Sequence, residues 1–357
     1  MRALLLFASA IVLGCAGEEP FVASDSSSGD DASSTGESSA CSEACADTSN
    51  EAGISRCYAC RCKVAFDDWL PAREELQCGV ATPIVTYTVD TSSPEVTLAP
   101  APIGSTRCAN TSLFTGSCTP GSRVGQLEHG DVMVRWICRD PYLDLDGRVL
   151  YHDVGIIGQN VRTGAACFWD DINDVTHDDD LPQLDLETAS AEDRARFEEN
   201  FYFTDGENCT SCHDHDPFIY TPYLQSTNWK TVAAAKGPYG LLDLEGEVRA
   251  TGNLHLVSPR AAPCTSCHRL GNEKTCTTLA PDALAAAKDD TYEQAVLDAA
   301  QPGSPHWRLA YWMPNDNVAD FGGWQALYED ARAHILACCA TPGEDVGDCR
   351  WEAVPAQ

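Results

Sequence analysis

Along the chain, the spacing of hydrophobic and polar positions changes character several times. Met1 and Arg2 precede an apolar run from Ala3 to Leu13. It is shorter than the roughly 20 apolar residues that span a bilayer, so it predicts an export signal rather than a membrane span. Residues 16–40 are mostly Ser, Gly, Asp and Glu; with almost nothing to bury, they predict a flexible acidic tether. Pro71–Gln77 reads as a short helix with proline in its first turn. From Pro83 to about Asp170, runs of β-branched and aromatic residues alternate with turn signals: Pro83–Asp90, Asp131–Cys138, Asp146-Gly147 ahead of Arg148–Tyr151, Val154–Ile157 and Ala166–Trp169. These predict a small antiparallel β domain. Helical spacing follows. Ser190-Ala-Glu-Asp193 has the form of a capping box ahead of a helix from Arg194 to Phe203, and Trp324, Leu327, Tyr328 and Ala331 repeat every three or four residues within Gly322–Cys338.

Charge narrows the classes of partner. The chain carries 23 Lys and Arg against 54 Asp and Glu, a net charge of −31. That excludes a nucleic-acid binder and suits basic partners. The acidic stretch Asp170–Asp174 to Asp178–Asp180 lacks the ordered spacing and glycine of a calcium loop and reads as solvated. His129, His152 and His177 read as surface or hydrogen-bonded histidines. No phosphate-binding glycine loop, nucleophile elbow or paired-histidine zinc helix is present, so no catalytic residue is assigned.

Two identical pentapeptides carry the chemistry: Cys209-Thr-Ser-Cys212-His213 and Cys264-Thr-Ser-Cys267-His268. With 19 Cys and 9 His in 357 residues, roughly 0.03 matches to CxxCH are expected by chance. Outside the cytoplasm this spacing reads as covalent haem attachment, two thiols adding to vinyl groups while the histidine ligates iron. The other readings are a redox or structural disulfide within each pair, of which the thioredoxin-like form sits at the start of a helix after a strand where nothing before Cys264 reads as such a strand, and an all-cysteine zinc ribbon, which leaves both histidines unexplained.

On these motifs the last 170 or so residues resemble c-type cytochromes, specifically diheme ones. The resemblance implies two covalently bound haem c groups, with Cys209, Cys212, Cys264 and Cys267 as thioether anchors and His213 and His268 as iron ligands. It also makes Met313, in Trp312-Met-Pro-Asn315, similar to a distal ligand for the second haem. For the first haem His255 is the leading sixth ligand, followed by His306 and His334. His215, too near His213 to reach the far side of the same haem, is placed to serve the neighbouring one.

Val12-Leu13-Gly14-Cys15 resembles the lipobox of bacterial lipoproteins, which implies acylation of Cys15, an anchor without a spanning helix, and the outer membrane, facing the periplasm or the cell surface. Setting aside Cys15 and the four haem cysteines leaves 14, enough for seven disulfides in an oxidising compartment. They fall into even groups: six in 41–78, four in 108–167 and four in 276–349.

The expected architecture is α+β and multidomain: signal and lipobox 1–15, linker 16–40, cysteine-rich module 41–78, β-rich domain 79–180, and a mainly α-helical, cytochrome c-like diheme region 181–357. The expected function is electron transfer with basic or small redox carriers, on a membrane through the lipid anchor only. Two rivals stand beside it: a peroxidase-like haem enzyme with one open iron site, and a haem-free, disulfide-rich surface-binding lipoprotein.

Overall fold

The computed structural model describes residues 41–90, 97–109, 111, 117–172, 175–176, 181, 183–200, 207–224, 237–307, 312–314 and 318–355. Cys15, the tether, His177, Asp178–Asp180 and Phe201 lie outside them. Helix α1 (Glu51–Ala65) starts at Asn50, whose side chain accepts from the Gly53 N–H at 2.9 Å and satisfies a donor that a helix start leaves open. Cys57 and Cys60, three apart, share a face. There they fasten the preceding loop through Cys45–Cys57 and Cys41–Cys60.

Strand β1 (Thr82–Pro83) begins an eight-stranded sheet, while β2 (Tyr87–Asp90) and β3 (Thr97–Pro100) form a separate hairpin. The sheet continues with β4 (Arg123–His129), β5 (Val132–Leu143), β6 (Val149–Asn160), β7 (Ala165–Ile172) and β8 (Val175–Thr176), then β9 (Gly240–Leu242) and β10 (Val248–Ala250). Its order is β1-β4-β5-β6-β7-β9-β10, with β8 on β6. All pairs are antiparallel except β7 with β9. The sheet therefore runs past residue 180 into the segment that carries the haem motifs.

Strand alternation gives the sheet two working faces. Trp136, Ile156 and Trp169 lie in register on one, where Tyr58, Ala59, Cys62 and Phe66 of α1 and its C-terminus pack against them. Two glycines permit this closeness: a Cβ on Gly158 would overlap the Phe66 ring, and one on Gly125 the Trp136 indole. Arg135, Ile157 and Phe168 are in register on the opposite face. That face receives the first motif.

Seven disulfides join described residues, and they use all 14 cysteines assigned to bridges. The pairing crosses the expected groups. Cys62–Cys167 and Cys78–Cys138 tie 41–78 to the sheet, because this short segment buries its apolar residues on β5–β7 rather than in a core of its own. Such bridges are compatible with an extracellular or periplasmic location.

The C-terminal half mixes helices with short strands. Helix α2 (Ala191–Asn200) is capped as expected, the Asp193 N–H donating to Ser190 Oγ at 3.0 Å. After it come α3 (Glu207–Cys212), a ribbon of β11 (Leu254–Leu256) with β12 (Trp351–Ala353), α4 (Ala262–Thr265), α5 (Ala280–Ala283), α6 (Thr291–Ala299) and α7 (Phe321–Cys338). In α7 the buried stripe is Trp324, Ala331, Ile335 and Cys338, whereas Leu327 is 57% exposed; the burial follows the four-residue ridge and passes Leu327 by. Cys276–Cys339 and Cys338–Cys349 brace the end of α7. No described helix is long and apolar enough to cross a membrane. Phe66 is fully buried, so Phe66→Ala should cost about 3–5 kcal/mol. Chemical denaturation of the oxidised chain checks this, and a loss under about 1 kcal/mol would show that α1 is not seated on the sheet.

Candidate functional site

The two motifs sit differently. Cys209 and Cys212 lie on the short helix α3, and Cys209 packs on a cluster of Ala166, Phe168, Tyr239 and Val354 on the second sheet face. The His213 ring lies 5.4 Å from that of Phe168, and its carbonyl accepts from Tyr239 Oη at 2.8 Å. The His213 Nδ1 is buried with no hydrogen-bond partner among the described residues. Burial lowers its pKa to about 4, so the imidazole is neutral and able to bind a metal.

The second motif straddles the end of α4. Ser258 starts the turn that leads into it, donating to the Asp348 carbonyl at 3.0 Å and accepting from the Arg350 N–H at 2.9 Å. Burial pushes the Cys264 thiol up to about 11. His268 Nδ1 donates to the Arg269 carbonyl at 2.7 Å, which leaves the ring's lone pair on Nε2.

Between them lies a polar lock. Asp214, Asp216 and Arg269 are all buried. Arg269 Nη1 donates to Asp216 Oδ1 at 2.7 Å and to the His215 carbonyl at 3.4 Å, and Nη2 to the Gly237 carbonyl at 2.6 Å. Asp214 accepts from the N–H groups of Glu273 and Thr275 at 2.7 and 3.2 Å and from Thr275 Oγ1 at 2.5 Å. It also holds His215 Nδ1 at 2.8 Å. A Cβ on Gly271 would overlap the Asp214 carboxylate, so glycine is what lets the chains approach. Burial works against the charge on His215, but the hydrogen bond to Asp214 and the charges of Asp216 and Asp214 outweigh it and raise its pKa. For Asp216 burial prevails, raising it to about 6 despite His215 and Arg269.

The lock brings the His215 and His268 rings beside each other, their centres 6.4 Å apart and their planes tilted by 42°. Both line one cavity, walled by Phe218, Ile219, Leu270 and Leu279 among others. The cavity is small, about 50 Å³, enough for a few waters. A porphyrin enters only if these side chains part. The donor set fits haem: neutral or oriented imidazoles beside thiols, with an apolar wall.

Of the expected sixth ligands, His215 lines this cavity, whereas His255, Met313, His306 and His334 do not. His255 lies in β11, bridging Glu352 and Gly271. The Met313 N–H donates to the Ala283 carbonyl at the cavity wall. His306 follows a turn near Trp307, and His334 lies on α7 beside Cys338. His129 and His152 stack on Trp69 and Tyr142. Among the motif cysteines, Cys209, Cys212 and Cys264 are outside any disulfide. Cys267 is disulfide-bonded, and thioether formation there requires that bond to be open. Sequence reasoning passed over Asp214, Asp216, Arg269 and Thr275; the alternation His213-Asp-His-Asp216 was the signal for the first two.

Comparison with protein-family models, with curated proteins and with solved structures gave no match.

Breaking the lock on one side strands a buried charge, so Asp216→Asn should cost about 3–5 kcal/mol of stability. Asp216→Leu combined with Arg269→Met should recover a large part of that loss. Denaturation midpoints for Asp216→Asn, for the double variant and for its two singles check it; a double variant as unstable as the sum of its singles would sink this account.

Proposed function

We propose that the chain is an exported, lipid-anchored diheme c-type cytochrome that transfers electrons. The observation that carries this reading is the pair of CxxCH motifs, together with the folding of their tails against each other while 14 other cysteines pair into disulfides. Cys209 with Cys212, and Cys264 with Cys267, would anchor the haems, and His213 and His268 would ligate them. Haem supplies a one-electron couple whose potential the protein sets.

The chain's own contribution is positional. The Arg269 carbonyl orients His268 through Nδ1 and raises the basicity of its other nitrogen. Phe168 and Tyr239 hold His213 against the sheet in a desolvated place. The acidic surface attracts basic redox carriers, and acylated Cys15 would keep the protein on the outer membrane, facing the periplasm or cell surface.

Expression in a periplasm with a cytochrome c maturation system tests the reading. Haem staining of denaturing gels and pyridine haemochrome assay should give two covalent haems per chain, falling to one in Cys212→Ala or Cys267→Ala. Absence of covalent haem where a control cytochrome matures would overturn it in favour of a haem-free binding lipoprotein.

A further inference from the structure

Resting on the diheme reading, we infer that His215 is the second axial ligand of the haem held by Cys264, Cys267 and His268. The tripeptide His213-Asp214-His215 then ligates one haem through its first residue and the other through its third.

Geometry carries this assignment. Two imidazoles bound on opposite sides of one metal, at about 2 Å per bond, place their ring centres about 6 Å apart; His215 and His268 stand at 6.4 Å. Each ring has its Nδ1 engaged, His215 with Asp214 and Thr275 Oγ1, His268 with the Arg269 carbonyl. Nε2 is therefore the nitrogen with a lone pair to give. Both rings line the same apolar-walled cavity.

The pair also suits haem better than a bare cation. Zinc takes four protein ligands in a structural site and three in a catalytic one. Among the described residues, the single group of three or more ligand atoms close enough to share an ion is His334, Cys338 and Cys349, and those two cysteines are bonded to each other. Two imidazoles at this spacing, lining one cavity, match an ion whose other four ligands come from a macrocycle. The assignment displaces Met313 from that role. Its backbone is fixed at the cavity wall by Ala283, and the residue is not part of the lining.

A functional consequence follows from the covalent path. One residue, Asp214, separates the two ligating histidines, and its carboxylate is fixed by Glu273 and Thr275 from beyond the second motif. Both irons would thus be tied to one rigid segment, close enough to exchange electrons directly and act as a coupled pair.

The test uses the matured, full-length protein and its His215→Ala and His215→Met variants. Covalent haem content is measured first; two haems in the parent and in both variants keep the attachment reading separate from the ligand assignment. His215→Ala should add one high-spin haem per chain to the optical and electron paramagnetic resonance spectra, and added imidazole should return it to low spin. His215→Met, which replaces a nitrogen by a softer thioether, should raise the potential of one haem and leave the other where it was. If His215→Ala does not accumulate, the methionine variant alone decides. Unchanged spin state and potentials in the variants, or the same opening produced by Met313→Ala instead, would overturn the assignment. A parent without covalent haem would instead remove the reading on which it rests.

Discussion

The buried ion pair of Arg269 with Asp216, and the Asp214 carboxylate beside it, hold the molecule's two motifs in one place. Charges removed from water are tolerated where they are paired and their remaining hydrogen-bonding capacity is filled. Here much of the filling comes from opposite sides of a long stretch of chain: backbone N–H groups from 273 and 275, a hydroxyl from Thr275, and carbonyls from His215 and Gly237, while Asp216 Oδ2 is buried with no partner among the described residues. The chain holds more than twice as many acids as bases, yet buries one of its scarce arginines at this point. That placement fixes where the second motif lies relative to the first.

Each motif also has its own support. The first rests on the sheet face that carries Ile157 and Phe168, opposite the face covered by α1. The second is braced from behind by α7, where Arg260 reaches Asp330 at 2.6 Å and two disulfides close the helix end. Asn253 joins the two supports by donating to the Thr210 carbonyl at 2.9 Å. The sheet itself crosses from one region to the other through the parallel pairing of β7 with β9. Residues 41–78, the strands and the motif segment therefore share cores rather than stand as separate modules.

Elements set by local chemistry were legible in the residues. The strands from Asp131 to Trp169, the turn at Asp146-Gly147, the cap at Ser190 and the α7 helix all follow from alternation, turn residues, capping and helical periodicity, which act over a few positions. The disulfide complement was legible too, because setting aside Cys15 and the four cysteines of the CxxCH repeats leaves an even number. The helix Glu51–Ala65 was hidden by its cysteines, whose spacing suggests a stapled loop until Cys62 and Phe66 are seen against the sheet.

What the residues alone determined, then, is the mixed α and β content, the disulfide complement and the two CxxCH repeats. Tertiary structure decided which cysteine pairs with which, since six cysteines allow fifteen pairings and only the packing of α1 on β7 brings Cys62 to Cys167. It also decided that His215 meets His268. Residues 53 positions apart come together here because Asp214, Asp216, Arg269 and Thr275 bond across the two segments, and such pairing of buried polar groups leaves no periodic mark along a chain.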